Sequence, residues 1–187
     1  MEKVWFTADH HFGHANIIHY DGRPYDTAEE MDADLISRWN ETVAPGDIVY
    51  HLGDMFLYSH VEQARAVRAQ LNGTIRLIRG NHEGTADGMK DAFDWIKDYY
   101  ELKMPDPEAH DGKHLLVLCH YALRVWNRSH HGSFHLYGHS HGSLPDDPQA
   151  RSFDVGCMLH DYRPISYDRV REIMATKSWE PMDHQRK

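Results

Sequence analysis

The chain has 187 residues, 26% of them charged and 41% hydrophobic, and a formal net charge of −9. That length suits one domain with a buried core, here residues 1–180, followed by a polar tail over 181–187. The acidic balance argues against nucleic acid held by charge alone, and no apolar run approaches the ~20 residues that span a bilayer.

The N-terminus enters a strand at Val4–Ala8 with no signal-peptide core, so a reducing cytoplasm is the expected location. Asp9-His10-His11 closes that strand. Thr27-Ala28-Glu29-Glu30 is a capping box, and Met31, Leu35, Trp39 and Val43 then recur every four residues as a helical stripe. A second strand, Ile48–Leu52, ends at Gly53-Asp54. Ser59-His60-Val61-Glu62 reads as another capping box, opening a helix with Val61, Ala64, Val67 and Leu71 that stops at Gly73. The strand Ile75–Ile78 runs into Gly80-Asn81-His82-Glu83. A third helix is expected over Asp91–Tyr99, with Phe93 and Ile96 on one side, and a polar loop over 105–113. The continuously apolar Leu115–Cys119 reads as a strand buried on both faces, with Cys119 a buried thiol, and it ends at His120. Cys119 and Cys157 make no disulfide framework. Phe134–Tyr137 leads to Gly138-His139-Ser140-His141. A turn over 144–149, a strand over Ser152–Val155 and a helix over Tyr167–Thr176 follow. Strand and helix alternate first, and strands crowd afterwards, which predicts an α/β fold with a mixed sheet or two packed sheets.

Histidine is over-represented, at 17 residues, and not all of it serves one purpose. His110, His114, His160 and His184 read as surface residues. The others that matter sit at strand ends, where one sheet rim can gather residues distant in sequence. Asp9 and His11 are two apart, so alternation sends both toward one side. Imidazoles at His120, His139 and His141, carboxylates at Asp9 and Asp54, and the amide of Asn81 form a nitrogen and oxygen donor set. Such a set suits a pair of divalent transition metals and points to hydrolysis of phosphate esters. His82 is free to face substrate. His14 is within reach of a substrate phosphate, and Arg124, in the loop with Trp126 and Arg128, can fork one. His10 points away from His11 and reads as a packing residue.

Taken in order, Asp-x-His, Gly-Asp, Gly-Asn-His-Glu, a lone His and Gly-His-x-His resemble the signature of the calcineurin-like metallophosphoesterase superfamily. The blocks span residues 9–141. The opening Asp9-His10-His11-Phe12-Gly13-His14-Ala15-Asn16-Ile17 resembles a small single-domain bacterial and phage branch. The resemblance implies a four-layer αββα sandwich with two mixed sheets. It implies one ion held by Asp9, His11 and His141, a second held by Asn81, His120 and His139, and Asp54 bridging them. His82 would lie over the phosphate and protonate the leaving oxygen. Two divalent ions are the implied cofactors. An imidazole-rich site favours Mn²⁺, with Fe, Zn²⁺ or Ni²⁺ as alternatives, over Mg²⁺.

The expected reaction is attack of a hydroxide held by the ions on a phosphodiester, or a phosphomonoester, of a small nucleotide-like substrate. Gly53-Asp54-Met55-Phe56-Leu57-Tyr58-Ser59 lacks the Asp-Arg pair of protein Ser/Thr phosphatases at this block, which counts against that activity. Two other readings compete. A nuclease would use the same site, but the acidic balance disfavours a nucleic-acid partner. A non-catalytic scaffold for protein partners would be expected to lose ligand positions, and here every one is filled. The expected partner is therefore a small phosphate ester rather than a membrane, and the sequence specifies no oligomeric state.

Overall fold

Two mixed β-sheets face each other in the computed structural model, which describes residues 2–109 and 111–181. His110, His184 and all but the first residue of the expected tail lie outside the described residues. The chain runs through β1 (Val4–Thr7), α1 (Ala15–Tyr20), α2 (Ala28–Thr42), β2 (Ile48–His51), α3 (Val61–Arg68), β3 (Thr74–Ile78), a short α4 (Gly84–Asp87) and β4 (Trp95–Lys97). It continues through β5 (Tyr99–Pro105), β6 (Lys113–Cys119), β7 (Phe134–Tyr137), β8 (Ser152–Asp154), β9 (Ile165–Ser166) and α5 (Tyr167–Ala175). The first sheet has the order β4-β3-β2-β1-β9, parallel except for β9. The second has the order β5-β6-β7-β8, with β5 antiparallel to β6 and the other pairs parallel. With five α-helices among the described residues, this is a two-sheet α/β sandwich.

Two apolar layers hold it. Thr27 caps α2 by accepting the Glu30 N–H at 3.1 Å. The stripe Met31, Leu35 and Trp39 is then fully buried against Val49, Ile75 and Leu77 on one face of the first sheet. Each such side chain contributes about 1.5–3 kcal/mol on burial. Alternation turns Phe6, Tyr50, Leu52 and Ile78 to the other face, where they meet Leu116, Leu118, Leu136 and Phe153 of the second sheet, with Val170 and Met174 of α5. On the outer face of the second sheet lies the loop after β6. Its Leu123 N–H donates to His135 Nε2 at 3.1 Å, and Trp126 lies 5.2 Å from the His135 ring.

Several expectations need correction. No helix forms over Asp91–Tyr99. Lys90–Ala92 make one 3-10 turn, Phe93 is extended, Trp95–Lys97 pair with Arg76–Ile78, and Tyr99 begins β5. Phe93, Trp95, Ile96, Tyr99 and Tyr100 favour strand, and the open edge of β3 supplied the ladder partners that a local helical period could not. The polar loop shrinks to 106–112 because β5 and β6 pair as far as Pro105 and Lys113. Ser59 does not cap α3; His60 occupies that position with no side-chain cap. His114 and His160 are half-buried, bonded to the Asp106 carboxylate and the Asp154 carbonyl. Cys119 is partly exposed at the end of β6, and both cysteines are free thiols. No helix among the described residues is long and apolar enough to cross a membrane.

Candidate metal centre

Five strands, β1, β2, β3, β6 and β7, end in the clusters singled out above, and their ends share one rim. The turns are laced together. Asp9 N–H donates to Gly53 O at 3.0 Å, His11 N–H to Asp54 O at 3.1 Å, and Gly138 N–H to His120 O at 2.9 Å. The glycines ahead of the clusters permit this closeness. A Cβ on Gly80 would stand 2.2 Å from Asp54 Oδ1, and one on Gly53, at φ +99°, would stand 2.5 Å from His120 Nδ1. No other residue fits either position.

Backbone strain concentrates at the same places. Eight non-glycine residues among those described have positive φ, and five are the donor positions Asp9, His11, Asp54, His139 and His141. A left-handed conformation costs such a residue on the order of 1–3 kcal/mol. Here it turns the chain just beyond the ends of β1, β2 and β7.

The donors form two groups. Ligand atoms of Asp9, His11 and His141 lie within 4.8 Å of one another, as do those of Asp54, His120 and His139. Asp54 reaches both, with Oδ2 3.7 Å from His11 Nε2 and 3.5 Å from His120 Nε2. Asn81 Oδ1 joins the second group, 2.9 Å from His139 Nδ1 and 3.1 Å from His120 Nε2. All seven donors expected from sequence are therefore brought together.

Their protonation is tuned by burial and by each other. Burial pushes the Asp9 carboxyl up to about 7, against the opposing charges of His141 and His120. Burial also disfavours ionised Asp54, but the hydrogen bond and charge of His120 outweigh it and hold that carboxyl well below the usual range. Burial pushes His11 down to about 3, and burial with the His120 charge lowers His139. His120 and His141 are raised: burial is outweighed by bonding to Asp54 in one case and to Asp21 in the other.

A supporting layer backs the donors, and sequence reading gave it little weight. Asp21 accepts the His141 Nδ1 hydrogen and pairs with Arg23. Arg23 also donates to the carbonyls of His10 at 2.8 Å and Asp9 at 2.9 Å. The turn Asp21-Gly22-Arg23 has no strand-end signature that would have announced it. Glu83 is buried, takes the Asp54 and Gly80 N–H groups, and is raised to about 7 by burial and then by the Asp54 charge. His10 is fully buried, 2.9 Å from His51 and stacked on Phe12.

A cavity of about 330 Å³ opens over Asp54, Asn81, His139 and His141, walled by His14, His82, Tyr20 and Leu57. His82 is exposed, and its N–H donates to Asp54 Oδ1 at 2.9 Å. His14 Nδ1 is 3.4 Å from His11 Nδ1. Arg124 is not there. It lines a separate groove with Trp126, Arg151 and Trp179, because the bond from Leu123 to His135 draws the loop over the outer face of the second sheet.

No family model matches the chain. It is 31% identical to the uncharacterized protein MJ1445 of Methanocaldococcus jannaschii over 93% of this chain and 92% of that protein. It is 29% identical to the Gene 66 protein of Mycobacterium phage D29 over 93% and 96% of the two chains. For the Gene 66 protein of phage L5 the identity is 26% over 77% and 80%. The crystal structure of the protein of unknown function AQ665 from Aquifex aeolicus superposes with a TM-score of 0.70 at 20% identity, covering 92% of this chain and 100% of that one, and so shares the fold.

Proposed function

The chain belongs to the same family as MJ1445 of Methanocaldococcus jannaschii, and from the site its strands assemble we infer a calcineurin-like metallophosphoesterase that hydrolyses phosphodiesters with two divalent ions. One observation carries this reading: Asp54 lies between two donor groups and within 3.7 Å of an imidazole nitrogen of each.

The donor set fits such ions. Asp9, His11 and His141 would hold one, Asn81, His120 and His139 the other, and Asp54 both. Asp9 supports the fit, because a carboxylate with no solvent exposure resists ionisation until a cation stands beside it. The prevalence of imidazole favours Mn²⁺, Fe, Zn²⁺ or Ni²⁺ over Mg²⁺. Bound ions of this kind supply a water that deprotonates near neutral pH and neutralise charge on a phosphoryl group.

The chain supplies the rest. His82 stands in the cavity wall with its backbone tied to Asp54. From there its ring donates a proton to the leaving oxygen, a task suited to imidazole near neutral pH. Asn81 and His14 position the phosphate. A cavity of about 330 Å³ is at the small end of ligand sites, which favours a small diester. Free Cys119 and Cys157 fit a reducing cytoplasm.

The test pairs elemental analysis with turnover of a chromogenic phosphodiester. A chelator abolishes turnover, and Mn²⁺ restores it better than equal Mg²⁺. Full turnover by protein shown to be metal-free overturns the reading.

A further inference from the structure

Most arginines of this acidic chain are answered by a carboxylate. Eight of them, Arg38, Arg65 and Arg171 included, lie between 2.6 and 3.1 Å from an Asp or Glu oxygen. One cavity breaks the pattern. It encloses about 220 Å³ and is lined by Lys103, Lys113, Arg128, His131 and Arg151, with Asp111 as its one acidic residue among those described. None of Lys103, Lys113, Arg128 and Arg151 has a described carboxylate partner.

Arg151 is held in place rather than waving in solvent. Its Nη1 donates to Gly132 O at 3.2 Å, and its guanidinium carbon lies 4.7 Å from the Trp179 ring and 5.9 Å from that of Phe134. Its Nε is buried and has no hydrogen-bond partner. Arg128 is fixed through its carbonyl, which accepts the N–H groups of His131 at 2.9 Å and Ser133 at 3.2 Å. Like charges gathered in this way repel one another unless an anion joins them.

We propose that this cavity is a second anion site, built for a compact ligand bearing linked phosphates and separate from the metal centre. Lys113 opens β6 and His120 follows its end, so roughly 20 Å of strand separates the two sites. Guanidinium groups suit phosphate oxygens by their forked donors, and lysines add charge. The volume is below that usual for drug-sized ligands, which favours a short phosphate chain over a bulky organic anion. The inference does not depend on the metal centre being catalytic.

Inorganic triphosphate titrated into the ¹⁵N-labelled chain at fixed ionic strength tests this. Saturable shifts are expected at the Lys113, Gly132 and Ser133 amides. The double variant Lys113→Gln/Arg151→Met should bind at least tenfold more weakly. Methionine keeps the packing on Trp179, and unchanged shifts elsewhere verify the fold. Arg65→Glu, at a paired surface arginine, is the control for net charge and should bind within about twofold of the parent. Shifts confined to residues 9–11, 53–54 and 138–141, equal affinity in the double variant, or equal weakening in the control would each overturn the proposal. A nucleoside triphosphate that shifts the same amides with higher affinity identifies the ligand as a nucleotide; equal affinity identifies the phosphate chain itself.

Discussion

His141 donates its Nδ1 hydrogen to the Asp21 carboxylate at 2.7 Å, and Asp21 in turn lies 3.1 Å from Arg23 Nη2. The bond fixes one tautomer of the imidazole and leaves Nε2 facing Asp9 and His11. Carboxylates behind ligating histidines typically carry 10–100-fold of metal affinity. Asp21→Ala should therefore weaken one of the two ions by about that factor, and Asp21→Asn, which still accepts a hydrogen bond, by less. Competition with a chromogenic chelator reads both. Unchanged affinity in Asp21→Ala would show that His141 needs no such partner.

The two donor groups should fail differently. Asp54 touches both, whereas His141 belongs to one. Asp54→Asn should lower occupancy of both ions, and His141→Ala chiefly one. Stoichiometry near two ions per chain in Asp54→Asn would contradict the shared role.

His82 can be judged by leaving group. General acid catalysis is worth 10²–10⁴-fold, about 3–5 kcal/mol. An alkoxide needs that proton, and p-nitrophenolate needs little. His82→Ala should keep its metals and lose far more rate on an alkyl or nucleoside ester than on a p-nitrophenyl ester. Equal losses would leave His82 as a residue that only positions phosphate.

Two buried histidines outside the donor set should each cost stability on acidification. Burial pushes His51 down to about 3 and His135 down to about 4. Their unfolded counterparts titrate near 6.5. Between those values the unfolded chain binds protons that the fold refuses, so stability rises with pH. This contribution is complete above about pH 6.5 and is lost as pH falls toward the folded values, at up to about 1.4 kcal/mol per pH unit for each histidine. Asp9 and Glu83, raised to about 7, work in the opposite direction over the same range, so the test is local: the His135 ring resonances should not titrate above about pH 5. A His135 midpoint near 6.5 would refute this.

Much of the rim was legible because its signals are local. A glycine, then Asp, Asn or His, at the end of an apolar run marks a strand end, and strands of parallel sheets end together. Thr27 and the Met31, Leu35, Trp39 stripe were equally plain, since capping and a period near four are properties of one segment. What escaped depends on partners. Trp95–Lys97 became a strand because β3 had an open edge, and Tyr99–Pro105 because β6 lay beside it. Asp21 serves a histidine 120 positions away, and no spacing rule reaches that far. Arg124 was misplaced because one bond from Leu123 to His135 decides where its loop lies.

Neither donor group is built from one sheet alone. Asp9 and His11 follow β1 and Asp54 follows β2, all in the first sheet, while His120, His139 and His141 follow β6 and β7 of the second. A loaded site would thus clasp the halves of the sandwich at one end, as a rivet joins two plates. Ligand that binds only the folded state adds about 4 kcal/mol at a thousand times its Kd. Removing the ions should then loosen the seam before it loosens the plates: amide exchange should quicken at the Asp9, Asp54 and His139 turns while Leu35 and Trp39 on α2 stay protected.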